Sequence, residues 1–178
     1  MDLSKILVAR SANLGFVKVV GRGSFQNSGC LQSFYREMLK DGVNRFVVDL
    51  DACTYLDSTF LGTLLGLALQ LKNSGNGLLH ILNASTRNQE LLKNLGLDRL
   101  IHIEGKMENG TGAGRKVDLN GVSEKDLEEI ECPVPTREQA APTILEAHEN
   151  LMEFDPRNVP KFKDVVEFLR EDLGQPAR

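Results

Sequence analysis

The sequence predicts an α/β fold: a mixed β-sheet with helices packed mainly on one side, followed by a C-terminal helical hairpin. Three observations lead to this prediction. Apolar stretches of strand and helix type alternate through residues 1–105, as they do in proteins with parallel or mixed sheets. Several strand-type stretches are almost continuously apolar, which is typical of buried strands. Two amphipathic helix patterns separated by a turn lie near the C-terminus.

The first 105 residues are predicted to follow the order β-β-α-β-α-β-α-β. Strands are predicted where short apolar stretches end in glycine or polar residues, and helices where apolar residues recur every three or four positions. The predicted strands cover residues 6–9, 16–20, 46–50, 78–82 and 101–103. The predicted helices cover residues 30–39, 58–73 and 88–95, with Thr86 as the N-cap of the third.

The remainder of the chain is predicted to divide into two parts. Residues 106–135 form a linker and irregular extension, because residues 108–114 are rich in glycine. Within it, residues 117–119 are a candidate strand, and the acidic residues 124–131 are a candidate helix. Residues 136–178 form the hairpin, with helices at 136–154 and 159–173, and Pro142 is expected to limit or bend the first helix. The predicted domains are therefore 1–105, 106–135 and 136–178.

Composition excludes several classes of protein. The net charge is −4 and the acidic residues concentrate after residue 105, so no basic surface for nucleic acid is predicted. No apolar run reaches the ~18 residues of a membrane span, and no signal peptide is predicted. Cys30, Cys53 and Cys132 are widely spaced and form no CxxC pair. They are expected to be reduced thiols in a cytoplasmic protein.

The candidate functional site is the corner at Asp57-Ser58-Thr59, where a polar linker leads into an apolar helix. Asp and Ser are preferred N-caps, so a purely structural role is one interpretation. A helix N-terminus also accommodates a phosphate well, so modification of a hydroxyl here is the other. No nucleophile–base pair, no carboxylate dyad and no histidine pair with metal-ligand spacing is evident. We therefore expect no enzymatic activity, no cofactor and no metal.

This corner and its surroundings resemble the STAS domain, in particular the bacterial anti-sigma factor antagonists. The resemblance lies in VVDLDACTYLDSTFLGTLLGLALQL, in HILNASTRNQELLKNLGLDRLIHI and in the loop GRGSF. Family members carry an Asp-Ser pair at the start of a helix and then a Leu-Gly step, as in Asp57-Ser58 and Leu61-Gly62 here. The resemblance covers roughly residues 1–105 and implies a STAS-like fold for them.

The resemblance also implies a switch controlled by phosphorylation. In the family, the Ser of the Asp-Ser pair is phosphorylated by a partner kinase that is also an anti-sigma factor. Only the unphosphorylated form binds that partner, and a phosphatase restores it. Carried onto this chain, the acceptor is Ser58, with Thr59 as the less favoured alternative. The expected partner-binding residues are Asp57, Ser58, Thr59, Phe60, Leu61, Ser24 and Phe25. Phe60 and Leu61 are the candidates for exposed apolar contacts, with a core position for one of the two as the alternative.

The chain departs from the family pattern, and two other functions remain alternatives. Phe60 stands where a small residue is common, and the first loop has Arg22-Gly23-Ser24 without the acidic residue often seen there. The chain also continues beyond the minimal domain. A non-enzymatic scaffold that dimerises through the C-terminal helices is the first alternative. A small-anion or nucleotide site at the Asp57 corner is the second. Gly62 and Gly66 are expected to pack on the sheet or to admit a neighbouring helix.

Overall fold

The computed structural model describes residues 3–107 and 119–176. Seven strands form one mixed sheet in the order β6-β5-β3-β2-β1-β7, and β4 pairs with β2 outside that path. The strands are β1 Lys5–Ser11, β2 Leu14–Gly23, β3 Arg45–Asp49, β4 Cys53–Leu56, β5 Leu78–Ala84, β6 His102–Gly105 and β7 Glu128–Ile130. The helices are α1 Phe25–Lys40, α2 Ser58–Asn73, α3 Thr86–Asn94, α4 Arg137–Phe154 and α5 Val159–Asp172.

The sheet confirms the predicted mixed topology. β1 is antiparallel to β2 and β7, whereas β2, β3, β5 and β6 are successive parallel neighbours. One face carries the main core, in which Val48 and Ile81 are fully buried with the apolar residues of α1 and α2. On the opposite face, Phe16 and Val47 are covered by Leu119, Val122 and Leu127. Helices thus pack mainly on one side, and the segment after residue 118 covers part of the other.

Three local predictions were wrong. The N-cap of α3 is Ser85, whose hydroxyl accepts from the Asn88 amide, and Thr86 is the first helical residue. Residues 124–131 do not form a helix: a 3₁₀ turn at Glu124–Asp126 precedes β7, which extends the sheet beside β1. β4 was not predicted at all. Of the strand considered at 117–119, residues 117 and 118 lie outside the described residues.

The C-terminal helical extension is present as a hairpin that forms a third layer. α4 packs on the outer side of α2 and also touches α1. α5 folds back on α4, burying Ala141 and Leu145 against Val166 and Leu169. Pro142 lies inside α4 without ending it. Among the described residues, no helix has the length and apolar character needed to cross a bilayer.

The cysteines are not all reduced, contrary to the prediction. Cys30 on α1 and Cys132 after β7 form a disulfide with a Cα–Cα separation of 5.6 Å. Cys53 is a free and buried thiol. The pairing was missed because the two residues are 102 positions apart and meet only through the addition of β7 to the sheet. The disulfide ties the segment that leads into α4 to the surface of α1.

Candidate functional site

The Asp57 carboxylate braces the corner between β4 and α2. Its Oδ1 accepts a hydrogen bond of 2.9 Å from the amide of Phe60, which caps α2. Its Oδ2 accepts another of 2.8 Å from the amide of Phe25, the first residue of α1. One carboxylate therefore satisfies otherwise unpaired N–H groups at two helix N-termini and fixes the two helices relative to each other.

The Ser58 hydroxyl contacts a histidine from the C-terminal hairpin. Its Oγ lies 2.9 Å from Nε2 of His148 on α4. The other ring nitrogen, Nδ1, lies 2.7 Å from the carbonyl oxygen of Ile144. A carbonyl oxygen can only accept, so Nδ1 carries a proton. In the neutral imidazole Nε2 is then the acceptor, and the Ser58 hydroxyl donates to it.

His148 is held in its neutral form by its surroundings. The residue is only 4% exposed, and this burial lowers the pKa of the imidazole below its usual value. The hydrogen bond to Ile144 and the negative charge of Asp57 oppose that shift without overcoming it. The edge of the His148 ring also meets Phe162 of α5, with ring centroids 4.9 Å apart. The imidazole is thus a buried, uncharged acceptor for Ser58.

Two glycines of α2 allow α4 to approach closely. A Cβ at Gly62 would overlap the Ala147 carbonyl oxygen and lie 2.7 Å from its carbonyl carbon. A Cβ at Gly66 would lie 3.0 Å from the Asn150 amide nitrogen and 3.4 Å from the Tyr35 hydroxyl. The expectation that these glycines pack on the sheet was therefore wrong, and the alternative of a neighbouring helix is what the structure has.

The turn of the hairpin is anchored to the end of α3 by buried polar groups. The Asp155 carboxylate accepts from Arg157 at 2.6 Å and pairs with Arg99 at 2.9 Å. Hydrogen bonds and charge from Arg157, with a further contribution from Arg99, lower the pKa of Asp155 to about 2. Asn158 is fully buried and donates to the carbonyl oxygens of Leu95 and Leu151 at 3.0 and 2.9 Å.

Beside Ser58, a cleft of about 370 Å³ opens between α3 and the hairpin. Ser58 and Asp57 line it together with two cationic side chains, Arg87 of α3 and Lys161 of α5. Arg87 lies over the Tyr55 ring, 5.7 Å from its centroid. The amine of Lys161 donates to the Asn94 carbonyl oxygen at 3.1 Å. The cleft therefore offers positive charge on both walls near a half-buried hydroxyl.

Of the other predicted site residues, four are buried and one is exposed. Phe60 and Leu61 are 0% and 1% exposed and belong to the core, so the expectation that they are exposed was wrong. Thr59 is buried as well, and Ser24 is a buried N-cap of α1. Phe25 is exposed at 40%.

Two histidines that looked isolated in the sequence meet across the sheet. His80 on β5 and His102 on β6 are register partners, with ring centroids 5.1 Å apart. Glu104 lies two residues further along β6, its carboxylate 3.4 Å from Nε2 of His102. One ligand atom from each of the three residues falls within 4.8 Å of the others. Spacing along the chain concealed this group, because parallel pairing brings its members together.

Comparison with known proteins agrees with this architecture. Residues 6–102 match the family described as Mlab, STAS domain. The candidate anti-sigma factor antagonist TM1081 of Thermotoga maritima is 18% identical, with a TM-score of 0.51 over 56% of this chain and 86% of that one. An anti-sigma factor antagonist of Mycobacterium paratuberculosis is 20% identical, with a TM-score of 0.51 over 58% and 86%. The Bacillus cell fate determinant SpoIIAA in its phosphorylated form is 14% identical, with a TM-score of 0.48 over 55% and 89%.

No curated protein sequence matches the chain. The family match ends at residue 102, before α4 begins at Arg137. It covers more than half of the 178 residues and includes the Asp57-Ser58 corner. The chain belongs to the STAS domain family and carries a C-terminal helical extension.

Proposed function

We propose that this protein is a phosphorylation-controlled interaction switch of the anti-sigma factor antagonist type, with Ser58 as the phosphate acceptor. In this proposal the unphosphorylated form binds a serine kinase that is also an anti-sigma factor. Phosphorylation ends the binding, and a phosphatase restores it. The protein acts in the cytoplasm as a regulator of transcription and not as an enzyme. Asp57, Ser58 and Phe25 contribute to the partner-binding surface.

The observation that carries the proposal is the position of the Ser58 hydroxyl. Ser58 is the first residue of α2 and is half-buried, whereas the neighbouring Thr59 is buried. The hydroxyl lies at a helix N-terminus, where the helix dipole stabilises a negative charge. Ser58 also lines the cleft that holds Arg87 of α3, a cationic residue within the matched family region. A phosphate on Ser58 thus finds favourable charge without any change in the STAS fold.

The same phosphate would act on the partner through charge. It adds about −1.5 to −2 charges beside the Asp57 carboxylate. A partner surface that accommodates a hydroxyl would then have to bury an unpaired dianion, which costs several kcal/mol. A loss of that size lowers affinity by orders of magnitude. The switch therefore requires only a local change at one side chain.

The first test is intact mass with phosphopeptide mapping on protein isolated from its native cells in several growth phases. We expect phosphate on Ser58 in part of the population. The second test is quantitative capture of partners by full-length wild type and Ser58→Asp. Ser33→Asp is the matched control, because Ser33 is exposed on α1. Absence of phosphate at Ser58 in every growth phase, or equal capture by wild type and Ser58→Asp, would overturn the proposal.

One observation favours the scaffold alternative as a second candidate. α5 exposes Val165 and Phe168 one turn apart on the same face, at 37% and 53%. Two large apolar side chains on one face of a surface helix form a patch on which a second copy could dock. Under this candidate, Phe168→Glu converts a dimer to a monomer in sedimentation analysis while leaving the fold intact. A monomeric wild type over the accessible concentration range would exclude it.

A further inference from the structure

We propose that the C-terminal hairpin is a built-in competitor for the Ser58 face of α2, and that kinase and partner reach Ser58 only after α4 detaches. This inference rests on the proposed function, because it concerns how that switch is regulated. It assigns a role to α4 and α5, which lie beyond the matched family region. Three features of the hairpin support it: the polar contact with Ser58, the close crossing of α4 over α2, and the anchoring of the hairpin turn.

The first feature is the pairing of Ser58 with His148. The hydroxyl donates to a buried imidazole nitrogen 2.9 Å away, so its oxygen lies against α4 at the edge of the cleft. A kinase must place a phosphoryl donor in line with that oxygen, which the imidazole of His148 obstructs. A phosphorylated Ser58 has no hydroxyl proton to donate, so its oxygen and the unprotonated Nε2 of His148 would meet as two acceptors. The closed hairpin is therefore incompatible both with the transfer step and with its product.

The second feature is the close contact between α2 and α4. The Ala147 carbonyl sits where a Cβ of Gly62 would be, and Asn150 fills the space beside Gly66. Any partner helix that crosses α2 at these glycines must occupy the volume that α4 now fills. Such a helix would also need small residues at the crossing, as α4 has in Ala147. The hairpin and a helical partner thus cannot bind this face together.

The third feature is the anchoring of the hairpin. Two contacts hold its turn beside the end of α3. One is the ion pair between Asp155 and Arg99, and the other is the hydrogen bond from Asn158 to the Leu95 carbonyl oxygen. When the binding-competent state is a minor fraction, the apparent affinity falls by that fraction. The free energy that holds the hairpin closed therefore lowers the apparent affinity for a partner at the Ser58 face. A partner that binds tightly enough displaces the hairpin.

The test measures access to position 58 without needing the partner. In full-length protein with the Cys30–Cys132 disulfide intact and Cys53→Ala, Ser58→Cys reports opening through its rate of reaction with a thiol reagent. Ser33→Cys in the same background gives the rate of an exposed helical thiol. We expect the thiol at position 58 to react at least about tenfold more slowly than the one at position 33. Adding Ala147→Leu, which clashes with Gly62 from the hairpin side, should bring the two rates within about threefold.

Asn158→Ala provides a second opening variant in case Ala147→Leu prevents folding. It removes an anchor at the turn and leaves the α2 crossing untouched. Equal reaction rates at positions 58 and 33 in the closed background, or no acceleration by a folded opening variant, would overturn the inference. Either outcome leaves phosphorylation of Ser58 open to its own mass measurement. Conversely, absence of phosphate in cells would remove the proposed switch without changing the labelling rates.

A different observation carries a second inference. The geometry of His80, His102 and Glu104 points to a binding site for a Zn²⁺-like transition-metal ion at the β5–β6 edge of the sheet. Within the described part of the chain, Nδ1 of His80 is buried and has no hydrogen-bond partner. Two imidazoles and a carboxylate are the ligand set of open zinc sites.

Only small side-chain rotations are needed for the three residues to coordinate one metal ion. The three ligand atoms lie within 4.8 Å of one another, and ligand atoms about 2.0–2.2 Å from a tetrahedral zinc ion are some 3.3–3.6 Å apart. His102 is exposed at the edge strand, so the ion can enter from solvent. Two imidazole nitrogens in the ligand set favour transition metals over Mg²⁺ and Ca²⁺, which prefer oxygen ligands.

Titration of tag-free protein with Zn²⁺, and with Co²⁺ as a visible-absorption probe, tests this second inference. We expect one equivalent of Co²⁺ to give tetrahedral d–d bands. His80→Ala and His102→Ala should each weaken binding at least about tenfold. His148→Gln, the remaining histidine of the chain, should bind like wild type. No binding at micromolar metal, or equal binding by His80→Ala, would overturn it.

Discussion

Nε2 of His148 accepts a hydrogen bond from the hydroxyl of Ser58, 90 residues earlier in the chain. The pairing depends on a neutral imidazole, since Nδ1 is committed to the Ile144 carbonyl. Protonation of Nε2 would convert the acceptor into a donor and place a buried positive charge beside Phe162. The hydroxyl of the proposed switch and the attachment of the hairpin are thus coupled through one ring.

Stability of the protein is expected to fall as the pH drops below about 6.5, the unperturbed pKa of histidine. Burial lowers the pKa of His148 in the folded state, so the unfolded chain takes up its proton first. The contribution of His148 is therefore fully present above about pH 6.5 and declines below it. Urea midpoints at about pH 7.5 and about pH 5.5 measure the change.

His148→Gln should show a smaller loss of stability between these two pH values than wild type. His80, whose pKa is also lowered by burial, contributes with the same sign, so His80→Gln serves as the comparison. The double variant should be nearly insensitive to pH in this window. An undiminished loss in His148→Gln would mean that its imidazole is not kept neutral by the fold.

Alanine substitutions at three helical glycines should have graded effects. Gly62→Ala should destabilise the protein by about 1–3 kcal/mol, because its Cβ meets the rigid backbone of Ala147. Gly66→Ala should destabilise the protein less than Gly62→Ala, since the Asn150 side chain can move aside. Gly29→Ala on α1 should stabilise by about 0.5–1 kcal/mol, because its Cβ meets nothing closer than 3.9 Å. Chemical denaturation measures all three, and a neutral Gly62→Ala would show that α4 does not pack as described.

Local signals made much of the fold predictable from the sequence. α2 was predicted with its observed bounds, because Asp57 is a strong cap and polar residues with Gly75 end the apolar pattern. β4 was missed because four residues inside a polar linker carry too little periodicity. β7 was missed for a related reason, since its three residues include two glutamates and become a strand only by pairing with β1.

The candidate site was only half predictable. The cap of α2 at Asp57 was predictable, because Asp and Ser are preferred N-caps and leave a local signature at a helix start. His148, the partner of Ser58, lies on α4, 90 residues further along the chain, and no local rule connects that helix to Ser58. Gly62 and Gly66 gave a second indication in the sequence, since two glycines four residues apart on a helix allow another helix to cross closely. Which helix crosses there is a property of the tertiary fold.

Reduction of the Cys30–Cys132 disulfide should lower the free energy of unfolding by about 2–5 kcal/mol, because the bond closes a loop of about 100 residues. Urea unfolding with and without dithiothreitol measures the difference. Cys30→Ser should resemble the reduced wild type and should not respond to the reductant. Unchanged wild-type stability on reduction would contradict the expectation. Cytoplasmic thiols are kept reduced, so in that compartment the bond would form only under oxidising conditions.

Asp155→Asn should remove an acid-sensitive part of the stability. Arg157 and Arg99 lower the pKa of Asp155 to about 2 in the folded state, against about 3.9 in the unfolded chain. Its contribution is therefore fully present above about pH 4 and is lost as the pH falls towards about 2. Urea midpoints across that range should decline less steeply in Asp155→Asn than in wild type, with the variant already weaker at neutral pH. Arg157→Gln should reproduce part of this behaviour, because it removes the main partner while Arg99 remains. Parallel pH profiles for wild type and Asp155→Asn would show that this carboxylate does not anchor the turn of the hairpin.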